Sequence, residues 1–212
     1  MVSRRPKDQL PKNADAYWQR PPARDKGDEK PEPLWQAIGS SVTTWEMIED
    51  TFAVLFRLLV ESQSSAASRA YGAIASARGR REALMAAAEI FFEIHKVAEL
   101  WREEFDLLMQ HFAKASGRRN EIAHGISIRY MHGEEDPTAI GIFLIPAAYN
   151  TSKRHPFMPK ESEDKFAHLQ SKYRYTAEDI SQITSKFHHL NGVASEWLLN
   201  FWDEHVAKPR RK

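Results

Sequence analysis

Apolar residues along the chain recur at spacings of three and four over several long stretches, and the spacing drops to two in only one region. Trp45, Ile48, Phe52, Leu55 and Leu59 define an amphipathic helix over about residues 42–61. Thr43 or Thr44 is placed to cap it, and Glu46, Glu49 and Asp50 load its early turns with the negative charge that a helix N-terminus favours. Residues 64–77 are dense in Ala and Ser. There Ala66, Ala70, Ala73, Ile74 and Ala77 give a narrow face for close helix approach, with Gly79 ending the segment. From Glu82 to Lys114 no Pro or Gly appears, and Leu84, Ala87, Phe91, Ile94, Ala98, Trp101, Phe105, Leu108 and Phe112 form one stripe, read as core. A single helix of that length would run about 50 Å. Near the C-terminus, Thr176-Ala177-Glu178-Asp179 resembles a capping box with Asp in place of the usual Glu. It opens a near-heptad run through Ile180, Ile183, Phe187, Leu190, Ala194, Trp197 and Phe201 that could complete a bundle or form a dimer seam.

The period of two falls after Gly125. Ile126, Ile128 and Tyr130 alternate with Ser127 and Arg129, and Ile140, Ile142 and Leu144 alternate in a second run. The connector His132-Gly133-Glu134-Glu135-Asp136-Pro137 is rich in turn residues, so the pair reads as a β-hairpin near 126–146 with one face covering the helices. Tyr149-Asn150-Thr151-Ser152-Lys153-Arg154-His155 follows as a polar, basic loop. Its aromatic and cations suit contact with single-stranded RNA, and an ordinary surface loop is the competing reading. Residues 156–174 are irregular, with room for a short helix over 161–170.

Composition changes the picture mainly at the ends. Residues 1–33 are rich in Pro and charge and poor in aliphatic residues, so they read as a disordered arm, either a passive tail or a weak contact for RNA or a partner chain anchored by Tyr17 and Trp18. Residues 208–212 read as a basic tail, leaving one ordered domain over 34–207. The formal net charge of +1 gives no global polybasic signal, so nucleic-acid binding would need a local patch. Arg78, Arg80 and Arg81 offer one, or else a solvated turn at a helix C-terminus. The absence of Cys excludes disulfides, Cys-ligated zinc and thiol catalysis. With no apolar signal core at the N-terminus and no run long enough to span a bilayer, the expectation is a soluble, cytoplasmic protein. The adjacent His188 and His189 do not share a helix face, and neither metal nor cofactor is expected.

Candidate chemistry concentrates in Ser116-Gly117-Arg118-Arg119-Asn120-Glu121-Ile122-Ala123-His124-Gly125. Arg offers a planar fork to phosphate oxygens, and His exchanges protons near neutral pH. Asn120 and His124, four apart on a helix, share a face, so the amide could orient the imidazole. Arg119 and His124, five apart, differ in bearing by about 140°. Arg119 must therefore bend round to His124 or meet the His of a second copy, and Arg118 competes for the same role. Gly117 would kink the helix so that residues 118–124 form their own turn. The alternative is that Gly125 is a C′ glycine and the Arg and His simply suit a helix C-terminus.

Arg119-Asn120-Glu121-Ile122-Ala123-His124, followed by Gly125, resembles the RNxxAHG form of the HEPN superfamily signature. The resemblance implies a mainly α, HEPN-like antiparallel helical bundle, here with an inserted β-hairpin. It also implies dimerisation through the motif helices, and a turn between two antiparallel helices within 82–114, placed at about 95–99. Many members are metal-independent endoribonucleases of toxin–antitoxin, abortive-infection and phage-defence systems. By position, Arg119, Asn120 and His124 would be catalytic. If that reading holds, Arg118 and, in the basic loop, Tyr149, Lys153 and Arg154 are the residues expected to contact substrate. The expected partners are a second copy, RNA, and an antitoxin or other protein. The alternative function is a non-catalytic module binding nucleotide, RNA or a protein partner.

Overall fold

The protein is described by a computed structural model covering residues 9–130, 140–147 and 173–207. In chain order the elements are α1 (Ala14–Tyr17), α2 (Pro31–Leu59), α3 (Ala66–Ala73), α4 (Ala77–Ile94), α5 (Glu99–Ala123), β1 (Gly125–Tyr130), β2 (Gly141–Pro146) and α6 (Ala177–His205). The architecture is mainly helical with one small antiparallel hairpin. None of the described helices is long and apolar enough to cross a membrane. The chain forms two compact units: Met1–Trp18, Thr44–Ser116 and Lys186–Lys212 make one, and Gln19–Thr43 and Gly117–Ser185 the other.

The first unit is built on aromatic packing. Phe112 stacks on Trp45 at 5.3 Å between ring centroids and meets Phe52 at 4.7 Å, while Phe187 closes on Trp45 edge-on. A second cluster joins Trp101, Trp197 and Phe201, the last two stacked at 4.6 Å because a four-residue spacing places them on one face of α6. The long stripe breaks where α4 ends at Ile94 and α5 starts at Glu99, with Lys96 in left-handed backbone at φ +52°.

Two expectations about helix ends are corrected in this unit. Gly79 does not end the Ala-rich segment. It lies in the first turn of α4, donating its N–H to the Ser76 side chain, an N-cap, at 3.0 Å. The three arginines beside it therefore sit at a helix N-terminus, and they do not act together. Arg78 pairs with Glu82 at 2.8 Å. Arg80 reaches the buried Glu49 at 3.1 Å, a carboxylate that also accepts from Trp45 Nε1 and the Tyr71 hydroxyl. Burial, together with the Glu49 charge, pushes the Tyr71 phenol far up and keeps it a donor.

The N-terminal segment also departs from expectation from residue 9 onward. Leu10, Ala14 and Trp18 are buried, and Trp18 Nε1 donates to His111 Nδ1 at 3.0 Å. Composition misleads here because a few well-placed apolar residues and specific hydrogen bonds replace a broad apolar face. Helix α2 likewise begins at Pro31, well before residue 42. Pro31 and Pro33 sit in its first turn, where backbone N–H groups have no helical acceptor and proline costs nothing.

In the second unit β1 and β2 pair antiparallel, with Gly125 opposite Pro146 and Tyr130 opposite Gly141. Strand β2 does not alternate in burial as expected: Ile142, Phe143, Leu144 and Ile145 are all buried. Its second edge is covered by single bridges from Asp28 to Ile142 and from Tyr175 to Leu144, and such enclosure calls for a continuous apolar run. Gly141, at φ +110°, adopts a conformation open to glycine, and a Cβ there would strike the backbone of Gly27. The capping box at α6 forms as the sequence indicates. Asp179 Oδ2 accepts from the Thr176 N–H and hydroxyl at 2.9 Å each, and Thr176 Oγ1 accepts from the Asp179 N–H at 3.3 Å.

Candidate active site

The motif occupies the last turns of α5, within the second unit. Gly117 does not interrupt the helix, which runs unbroken to Ala123, and the His124 N–H still donates to the Asn120 carbonyl at 3.0 Å. The buried Ile122 fixes the rotation of these turns. At about 100° per residue, Arg118 then lies about 40° from the inward direction and Arg119 about 60° on the other side. Asn120 and His124 lie about 160° away, and both are exposed.

Gly125 is not a left-handed cap, since Gly141 alone among the described glycines has positive φ. Strand β1 starts at Gly125 itself, and a Cβ there would come within 2.7 Å of Leu144 Cγ and 3.0 Å of the Glu121 carbonyl. Close approach of β2 to the helix end is what requires glycine at this position.

The two arginines part company. Arg118 turns inward: its Nη1 lies 2.9 Å from Glu121 Oε2 and 3.3 Å from the Tyr175 hydroxyl. Glu121 is the centre of this cluster. It also accepts from Arg20 Nε at 2.9 Å and from the Tyr175 hydroxyl at 2.6 Å, while the Tyr173 hydroxyl donates to its backbone carbonyl at 2.8 Å. Burial first, then the Glu121 bond and charge, raise the Tyr175 phenol far above its ordinary value, so it stays a donor. The Glu121 bond likewise raises the Arg20 guanidinium.

Arg119 takes the other flank, and its Nη1 donates to Asn120 Oδ1 at 3.3 Å. The amide expected to orient His124 therefore holds Arg119 instead. The His124 imidazole is exposed and makes no hydrogen bond, ion pair or ring contact among the described residues. Tyr149, Lys153, Arg154 and the segment 161–170 lie outside the described residues.

The half-buried Arg119 guanidinium, positioned by an amide, can grip an anion, and the exposed His124 imidazole, five residues on and about 140° round the helix, can exchange a proton. Among the described residues, no group of three or more His, Asp or Glu is arranged to hold a metal ion. His188 Nε2 meets the Thr44 hydroxyl at 3.3 Å, and His189 Nδ1 the Tyr17 hydroxyl at 2.9 Å.

Sequence reasoning missed Arg20, Glu121, Tyr173 and Tyr175. One signal was present: Arg118 and Glu121 are three apart on a helix, a spacing that pairs opposite charges. Nothing in the spacing pointed to Arg20 or the tyrosines, which arrive from distant parts of the chain. Compared with models of known families, with curated proteins and with solved structures, the chain matched none.

Proposed function

We propose that this protein is a metal-independent endoribonuclease of the HEPN type. Arg119 holds the scissile phosphate and offsets its developing charge, and His124 acts as general acid or base. Asn120 holds Arg119 in place, and the cluster around Glu121 draws Arg118 away from the substrate. The RNA 2′-hydroxyl attacks the adjacent phosphorus, losing its proton as the 5′-oxygen leaves with one. The products carry a 2′,3′-cyclic phosphate and a 5′-hydroxyl, and DNA resists cleavage.

The observation that carries this reading is the pair of environments at the end of α5: Arg119 bonded to Asn120, and His124 exposed with its ring unengaged among the described residues. Because the bearings of Arg119 and His124 differ by about 140°, the reading includes a homodimer in which Arg119 of one copy meets His124 of the other. A toxin or phage-defence effector, working in the cytoplasm beside an antitoxin or other protein partner, is the setting that such an activity suits.

The test is incubation of the purified protein with mixed RNA in EDTA, beside His124→Ala. Cleavage by the parent and a loss of about 10²- to 10⁴-fold in the variant are expected. Equal cleavage by both, or none by either, sinks the proposal in favour of a non-catalytic module binding nucleotide, RNA or a protein partner.

A further inference from the structure

Of the three arginines at the start of α4, two are engaged by carboxylates and the third is not. Arg81 is half-buried and has no hydrogen bond, ion pair or ring contact among the described residues. It lines a pocket of about 470 Å³ in the first unit with Lys12, Asn13, Asp15, Gln110 and Lys114. That volume lies in the range of small-ligand sites.

Charge in the pocket is unbalanced. Lys12, Arg81 and Lys114 face one carboxylate, Asp15, in a chain whose formal net charge is only +1. Asp15 Oδ1 lies 2.5 Å from Lys114 Nζ, leaving Lys12 and Arg81 without a counter-charge among the described residues. Gln110 is likewise unengaged among the described residues, and its amide adds donors to the same wall. A planar guanidinium, two ammonium groups and an amide around one concavity make a donor set matched to tetrahedral oxyanions.

We infer that this pocket binds a phosphoryl group, with Arg81 as its fork and Lys12 and Lys114 as point charges. Asp15 acts as a built-in competitor, occupying Lys114 until the ligand displaces it. The inference does not depend on the ribonuclease reading, since none of these residues belongs to the motif. The phosphoryl group has two sources, a free polyphosphate such as a nucleotide carries or the phosphodiester of a single-stranded RNA.

The test is calorimetric titration of the full chain at low salt with inorganic triphosphate and, separately, with a short 5′-hydroxyl oligoribonucleotide, which carries only phosphodiesters. The His124→Ala background keeps the RNA intact in the second arm, so a failure here is distinguishable from a failure of catalysis. Saturable binding of at least one probe is expected, weakened about tenfold in Arg81→Gln. Binding should tighten in Asp15→Asn and stay unchanged in Arg78→Gln, whose guanidinium is exposed and paired with Glu82. Triphosphate binding alone assigns the free-phosphate source, and oligonucleotide binding assigns the backbone. Because Arg81 has no partner to lose among the described residues, its variant should keep the parent melting temperature. Absence of saturable binding by either probe, or an equal loss in Arg78→Gln, overturns the inference.

Discussion

Two stretches of helix α5 handle polar groups in opposite ways. Around His111, in the first unit, a wholly buried imidazole is kept neutral between two neutral partners: Nδ1 accepts from Trp18 Nε1 at 3.0 Å, and Nε2 donates to the Pro11 carbonyl at 2.8 Å. Around Glu121, in the second unit, a mostly buried carboxylate is held between two guanidiniums and a phenol. Both arrangements depend on the N-terminal segment, which supplies Pro11 and Trp18 to one and Arg20 to the other. That dependence gives the segment two different fixings, one sensitive to protonation and one to loss of a charge.

The largest effect should come from breaking the charged arrangement. Glu121→Ala leaves Arg20 and Arg118 without a counter-charge and the Tyr175 hydroxyl without its acceptor. Removing one partner from a buried pair costs about 3–5 kcal/mol, and residual exposure of Arg20 places the expectation near the lower figure, about 3 kcal/mol. Urea unfolding measures it. A loss below about 1 kcal/mol, the worth of a surface pair, would show that water already screens the cluster.

Next in size is Gly125→Ala. The added methyl collides with Leu144 Cγ, whose side chain is buried, and with the Glu121 carbonyl. Overpacking of this kind costs about 1–3 kcal/mol. A glycine required for left-handed backbone would behave differently, because shortening the facing side chain could not help it. Here Leu144→Ala, destabilising alone, should make Gly125→Ala nearly neutral in the double variant. Strict additivity by the same unfolding measurement would contradict the close-approach account.

These two positions also show what was legible in the chain. The long helices, the hairpin and the Thr176–Asp179 capping box follow from periodicity and local chemistry, because each is set by neighbours within about four residues. The motif was visible, and so was the rivalry between Arg118 and Arg119. What decides that rivalry is Ile122, whose burial sets the rotation of the helix, together with Tyr175, more than fifty residues away. Gly125 was legible as a glycine with a purpose, but the purpose is tertiary. The ordering of residues 9–30 was hidden for the same reason: Pro-rich, charged composition describes what a segment lacks for an apolar core, not which single hydrogen bonds await it.

The smallest expected effect is a pH dependence centred on His111. Burial pushes its imidazole below the ordinary 6.5, the Pro11 carbonyl pulls the other way, and His189 adds to the drop. Between the folded value and 6.5 the unfolded chain therefore binds more protons than the native one, and stability rises with pH across that window. The His111 contribution is fully present above about pH 6.5 and is lost as pH falls toward and through the folded value. Protonation puts a proton on Nδ1, where the Trp18 indole N–H already points, so the acid form must give up that bond. Tryptophan fluorescence and limited proteolysis within residues 9–18 should both report loosening as the pH is lowered, before global unfolding. His111→Gln keeps an acceptor for Trp18 and a donor for Pro11 but does not titrate, so it should flatten this acid response. A response of the same size in His111→Gln would move the cause elsewhere.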